Sequence, residues 1–161
     1  MVGAVDVAQT TLDGFHKSFQ SLVISTITED NEPYSSYAPF VNYEGEYHII
    51  ISSSAPHYDY IKANNQASIF LVEDESVANN PFFRKRLSYL TTFTEVETKE
   101  IKEAFIKKFG NMAEVVIKMD FHILKCNVEH GKLIIGPGQA FFVDKDHKIS
   151  GHDNSAKHTR K

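Results

Sequence analysis

Ser21-Leu22-Val23-Ile24-Ser25-Thr26-Ile27, then Glu29-Asp30-Asn31-Glu32-Pro33, then Tyr34-Ser35-Ser36-Tyr37-Ala38-Pro39-Phe40-Val41 is the run that decides the fold. Leu22 to Ile27 is apolar and β-branched, the composition of a strand. The residues after it are turn formers. Tyr34 to Val41 reads as a second strand. Pro39 marks an edge or a bulge in it, because proline donates nothing to a ladder. Tyr43-Glu44-Gly45-Glu46 is a hairpin loop, and Tyr47-His48-Ile49-Ile50-Ile51 is a third strand. Two hairpin-length connections in succession predict an antiparallel meander.

Upstream, residues 4–19 have Val5, Ala8, Leu12, Phe15 and Phe19 at helical spacing. Downstream, Pro56 begins a short helix that ends near Asn64. Ala67 to Val72 is apolar on both faces, the pattern of a central strand. An acidic loop over 73–80 precedes a long alternating strand from Phe82 to Val96. On that strand Arg84 and Arg86 project to the same face, roughly 7 Å apart. Thr98 caps a helix that runs through Gly110, with Ile101, Ala104, Phe105 and Phe109 as its buried stripe. A further helical piece covers Met112–Ile117. Phe121 to Val128 alternates again, His130-Gly131 turns, and Lys132 to Ile135 pairs back. Gly136-Pro137-Gly138 then breaks the strand and Ala140 to Val143 resumes it. The fold class is mainly β: a small β-barrel with flanking α-helices, one domain over residues 1–143. From Asp144 only Ile149 and Ala156 are apolar. Ordering costs of about 1–2 kcal/mol per residue exceed what such a segment can offset by burial. Residues 144–161 are therefore expected to be a flexible tail, ordered only by something that binds it.

The 161 residues suffice for one domain with a real core, and 42% hydrophobic with 24% charged residues is ordinary globular composition. No apolar run approaches the ~20 residues of a membrane span, and Met1–Ala8 lacks the pattern of a signal peptide. One cysteine, Cys126, excludes an internal disulfide and a cysteine-rich zinc site, which fits a cytoplasmic location. A net charge of -4 gives no general pull toward nucleic acid. Phosphate-binding glycine loops, a nucleophile elbow and His-Glu-x-x-His are all missing.

Three groups of residues could carry chemistry. Arg84-Lys85-Arg86 is the densest basic run; two guanidinia on one face would grip carboxylates or phosphates, and the alternative is a charged, solvated edge strand. Asp120 and His122 share a face of the strand Met119–Leu124, where a carboxylate could orient a metal-bound imidazole from elsewhere or simply be the wet side of a sheet. His147, His152 and His158 lie in the segment that has no core role, which frees them to act as ligands. Cys126, mid-strand, reads as a packed thiol.

Taken together, five pieces carry a resemblance. Ser25-Thr26-Ile27 with Glu32 to Val41, Val72-Glu73-Asp74-Glu75, Phe83-Arg84-Lys85-Arg86-Leu87, Gly136-Pro137-Gly138-Gln139-Ala140-Phe141 and Gly151-His152 occur in this order. They resemble the pyridoxamine-phosphate-oxidase-like, FMN-binding split-barrel proteins, and among these the HugZ/HutZ-type haem-degrading branch. The resemblance spans roughly residues 15–155. It implies a homodimer of split β-barrels with haem near the interface and His152 as the iron ligand. It further implies that Asp120 hydrogen-bonds that histidine across the interface, and that Arg84 and Arg86 belong to the haem pocket and its catalysis. The implied activity is oxidative haem degradation with O2 and electrons from a reductase or small reductant, releasing iron. Two alternatives stay open: an FMN-dependent oxidoreductase, and a non-catalytic haem carrier or storage protein. Against FMN, Pro56-His57 stands where flavin-binding relatives commonly place a basic pair on the phosphate.

Overall fold

The computed structural model describes residues 3–155. After helix α1 (Ala4–Gly14) and a 3-10 turn (Phe15–Ser18) come β1 (Ser21–Ile27), β2 (Pro33–Tyr43), β3 (Glu46–Ser52), α2 (Pro56–Ala63) and β4 (Gln66–Val72). A 3-10 turn (Pro81–Phe83) leads into β5 (Arg86–Glu95), followed by α3 (Lys99–Phe109), α4 (Asn111–Ile117), β6 (Phe121–Gly136), β7 (Gln139–Val143) and β8 (Ile149–His152). The strands pair in the order β3-β2-β1-β4-β5-β6-β7-β8, and β3 also pairs with β6. Six strands thus close into an antiparallel barrel, which removes its edges. β7 and β8 extend the sheet beyond it from the far half of β6.

Alternation places the core. Leu22, Ile24 and Thr26 of β1 point inward while Val23 and Ser25 face out. In the main core cluster, Phe40, Ile49, Leu71, Leu87 and Leu133 of the barrel strands and Phe141 of β7 are almost wholly enclosed. A second cluster forms outside, where Ile101 and Phe105 of α3 pack on Val41, Ile50 and Ile123. β3 is therefore buried on both faces, which explains its unbroken apolar run. Thr98 caps α3 as expected, its hydroxyl accepting from the Ile101 N–H at 3.4 Å. The β2–β3 turn is also as read: Glu44 and Gly45 have φ of 52° and 82°, the left-handed pair of a two-residue hairpin.

Several expectations change. Pro39 is neither at an edge nor in a bulge. It sits where β2 passes from β1 to β3, and the next residue, Phe40, donates its N–H to Gln20. The first helix stops at Gly14 and tightens into the 3-10 turn. The long strand begins at Arg86 rather than Phe82, because Pro81 starts a turn instead; Arg84 and Arg86 are consequently not strand neighbours on one face. His130-Gly131 does not turn. β6 runs through it, and a register shift against Leu90/Thr91 absorbs Glu129 as a bulge. Nor does regular structure end at Val143. Asp144 to Lys148 form a closed turn, with the Asp144 N–H donating to Lys148 O at 2.8 Å, and the chain returns as β8. Gln9 of α1 braces this return: its amide donates to His147 O at 3.0 Å and accepts from the Ile149 N–H at 2.8 Å. The segment, too polar to pack alone, is held by backbone bonds that composition does not report. His158 and the rest of 156–161 lie outside the described residues.

Candidate functional site

The β6–β7 hairpin and the turn before β5 enclose a cleft of about 650 Å³, lined by Phe82, Phe83, Arg86, Ile134, Pro137 and Ala140 among others. Asn80 builds one wall. Its side chain accepts from the Phe82 N–H at 3.0 Å, starting the 3-10 turn that presents Phe82 and Phe83. Phe82 is 82% exposed and Phe83 40%. Two large aromatics facing solvent beside a concave surface mark a place where something apolar docks.

His152 stands at the rim. β8 pairs it with Phe141, whose ring meets it edge-on at 5.2 Å. Its Nε2 donates to the carbonyl of Gly138, a lining residue, at 2.8 Å. Its Nδ1 lies 2.7 Å from the side-chain oxygen of Asn154. A ring placed this way is exposed yet oriented. Asp153 secures it from behind: nearly buried, it accepts from Lys132 Nζ at 2.6 Å and from both the N–H and hydroxyl of Ser155. Lys132, then Ser155, hold the Asp153 carboxyl well below the usual range.

The two arginines part company. Arg86 lines the cleft and is positioned by donating from Nη1 to Arg84 O at 3.0 Å. Arg84 turns away to the acidic loop, donating from Nε to Glu73 O at 2.7 Å and from Nη1 to Glu75 at 3.3 Å. The structure therefore places Arg86 in the cleft at whose rim His152 lies and leaves Arg84 as a brace of the loop.

Asp120 is elsewhere in the chain. It precedes β6 and accepts from Ser52 Oγ at 2.8 Å, with Ser53 Oγ at 3.5 Å. Ser52, and secondarily Ser54, hold its carboxyl below the usual range. From Phe121 to Leu133, which is one ladder rung from Phe141, β6 runs twelve residue steps, or roughly 40 Å along the strand at 3.3 Å each. Within one chain Asp120 does not reach His152. Nor does it share partners with His122, whose Nδ1 contacts Glu95 at 2.5 Å and Glu97 at 3.7 Å. Donor atoms of Glu95, Glu97 and His122 lie within 4.8 Å of one another, and Lys62 also pairs with Glu95. His147 belongs to neither place; it tucks between Tyr47 and Tyr89, bonded to the Tyr89 hydroxyl at 3.1 Å.

The residue expected to disfavour FMN has its own role. His57 is buried, its Nδ1 2.8 Å from Ser36 Oγ, and burial lowers its pKa. A neutral, enclosed imidazole offers no charge to a phosphate dianion, and Asp120 sets a carboxylate among Ser52–Ser54 just ahead of α2. Sequence reasoning missed Phe82, Phe83 and Asn154. The two phenylalanines carried a signal, since a Pro81-Phe82-Phe83 run after Asn80 matches a capped turn better than a strand.

Residues 9–134 match the family described as pyridoxamine 5'-phosphate oxidase. The chain is 30% identical over 138 residues to the heme oxygenase HutZ of Vibrio cholerae, covering 82% of this chain and 78% of that protein. Among solved structures, Campylobacter jejuni ChuZ superposes with a TM-score of 0.84 at 31% identity over 95% of this chain. This chain spans only 65% of the ChuZ chain. HutZ, there called the heme storage protein from Vibrio cholerae, superposes with a TM-score of 0.72 at 27% identity, covering 81% of this chain and 95% of that one.

Proposed function

The chain belongs to the pyridoxamine 5'-phosphate oxidase family, in its HugZ/HutZ-type branch, and from this premise we propose that it binds haem in the Arg86–His152 cleft and degrades it oxidatively. The observation that carries the reading is an exposed, oriented histidine at the rim of an aromatic cleft that also holds a guanidinium. The residues suit haem: phenylalanines for a flat macrocycle, Arg86 for a propionate, and an imidazole for iron. A cleft of this size lies within the usual ~300–1,000 Å³ of small-molecule sites.

Bound haem would supply the redox chemistry by which O2 and electrons from an external reductase or small reductant oxidise the porphyrin. The chain's own residues do the rest. His152 would have to give up the Gly138 carbonyl to offer Nε2 as the iron ligand, leaving Nδ1 as the N–H that donates a hydrogen bond to the Asn154 oxygen at 2.7 Å. That bond then fixes the ring plane. Arg86 donates charge-assisted hydrogen bonds to a propionate, each worth about 1.5–3 kcal/mol. Phe82 and Phe83 would lose exposed surface, which stabilises the complex by up to about 2.5 kcal/mol for Phe82 and about 1 kcal/mol for the already half-covered Phe83.

Asp120 enters this scheme only from a second copy of the chain. A homodimer is supported by the uncovered apolar patch on β1 and β2, where Val23 pairs with Tyr37, 68% exposed, and Ile27 ends the strand. A storage role is the second reading, favoured by the serine partners that hold Asp120 away from His152 within the chain. FMN is disfavoured by His57 and Asp120 as described. A cytoplasmic site of action accords with the free, buried Cys126.

Hemin titration tests the proposal. The expected result is a Soret band at one haem per chain, shifted or lost in His152→Ala, that decays with iron release on adding ascorbate. A stable band under ascorbate would select storage. A His152→Ala spectrum identical to the parent would refute the ligand assignment, and a protein purified with bound flavin would select FMN.

A further inference from the structure

A second cleft, sharing no lining residue with the first, opens where α1 ends beside the β2–β3 hairpin and the turn between β7 and β8. We propose that it binds a small organic ammonium ion. Its volume is about 310 Å³. Asp13, Glu44, Glu46 and Asp146 line it, against one lysine, Lys148, and His147, whose Nε2 lies 3.4 Å from one Glu46 oxygen and leaves the other for a ligand. His16, also at the wall, adds no offsetting charge near neutrality: burial, then Lys17 and Lys108, lower its pKa.

Carboxylates on a surface do not make a site, but this cleft has a built floor. Tyr47 and Tyr89 form it, 2% and 1% exposed. The Tyr89 hydroxyl is engaged with His147. The Tyr47 hydroxyl makes no hydrogen bond among the described residues. Yet no fully enclosed side-chain nitrogen or oxygen lacks a partner there. The Tyr47 oxygen therefore opens onto the cleft its residue lines, a buried acceptor aimed at whatever enters. Around it stand aromatic rings: His147 stacks on Tyr47 at 6.2 Å and His16 meets it edge-on at 6.3 Å. The tyrosine ring faces of the floor attract cations most strongly where water is excluded.

The form of the cation follows from spacing. Among the described residues, only Glu95, Glu97 and His122 bring three metal-type donors within 4.8 Å of one another. The cleft's carboxylates are spread too widely to coordinate one bare ion. A cation with a carbon body fits better: its N–H groups donate to Tyr47 and Glu46, while its methylene groups lie against the rings. An ammonium head has three donors and no acceptor, the complement of this lining.

Calorimetry with 1,4-diaminobutane at low ionic strength tests this on the whole chain. Saturable binding at one site per chain with a Kd below about 1 mM is expected. Tyr47→Phe and Glu46→Gln should each weaken it about tenfold or more, while Glu114→Gln, which removes the same charge on α4, leaves it within about twofold. The neutral analogue 1,4-butanediol should not bind. Absence of saturation, unchanged affinity in both cleft variants, binding of the diol, or equal displacement by Mg2+ would each overturn the proposal. If Tyr47→Phe does not fold, Glu46→Gln at the more exposed wall decides alone.

Discussion

Gly131 offers the sharpest test of how the barrel is built. It lies in β6 between Tyr89 of β5 and Val143 of β7, just past the Glu129 bulge. A Cβ at this position would collide with the Ser88 carbonyl and with the Tyr89 ring. Neither group can yield cheaply. The carbonyl belongs to a paired strand, and the ring is 1% exposed with its hydroxyl tied to His147. Overpacking costs about 1–3 kcal/mol, and a backbone collision puts Gly131→Ala at the upper end. Against this, alanine recovers ~0.5–1 kcal/mol of the entropy that glycine loses in a strand. The net expectation is a destabilisation of about 2 kcal/mol, or a Tm lower by roughly 4–8 °C for a domain this size. Urea unfolding followed by circular dichroism measures it, with an unchanged m-value showing that the unfolded state is the same. Gly14→Ala is the matched control, since a Cβ there meets nothing within 4 Å. It should leave stability unchanged or raise it by ~0.5 kcal/mol. A Gly131→Ala protein within ~0.5 kcal/mol of the parent would refute the close approach and with it the uninterrupted path of β6.

Three further outcomes follow. Asp153 has its pKa lowered by Lys132 and Ser155, so its contribution is present above the ordinary carboxylate pKa and is lost as pH falls through its own lower value; Asp153→Asn should therefore be less stable than the parent near pH 7, with the gap closing in strong acid, as pH-dependent thermal unfolding would show or deny. Trypsin should cut slowly after Lys145 and Lys148 even without haem, because the turn is closed by the Lys148 N–H donating to Asp144 at 3.0 Å; rapid cleavage there in the apoprotein would contradict the paired β8. Asp120→Asn should bind hemin within about tenfold of the parent, ~1.4 kcal/mol, while changing the degradation rate; identical rates would leave Asp120 a ligand of serines only.

The barrel was legible because its strands obey short-range rules. Ile49-Ile50-Ile51 could be read as buried from composition alone, and Glu44-Gly45 as a turn from its spacing. What escaped were features settled by neighbours distant in sequence. Gly131 looked like a turn because glycine there is demanded by Tyr89, some forty residues earlier, not by local bending. The polarity of Asp144–Asn154 hid β8, whose order comes from backbone pairing with β7 and from Gln9. For the candidate site, the motif singled out His152, Arg84 and Arg86 but could not separate the two arginines. That separation rests on the Glu73 carbonyl, which captures one guanidinium and leaves the other.

The Gln9 brace has a consequence for how the molecule is made. Its two hydrogen bonds reach residues 138 and 140 positions later in the chain. During synthesis α1 emerges early and must wait until the entire barrel and β7 have followed before its partner exists. Contacts of such long separation close slowly. The barrel strands can thus pair before the strand that carries His152 is fastened, and the candidate site is the last part of the described fold to take shape.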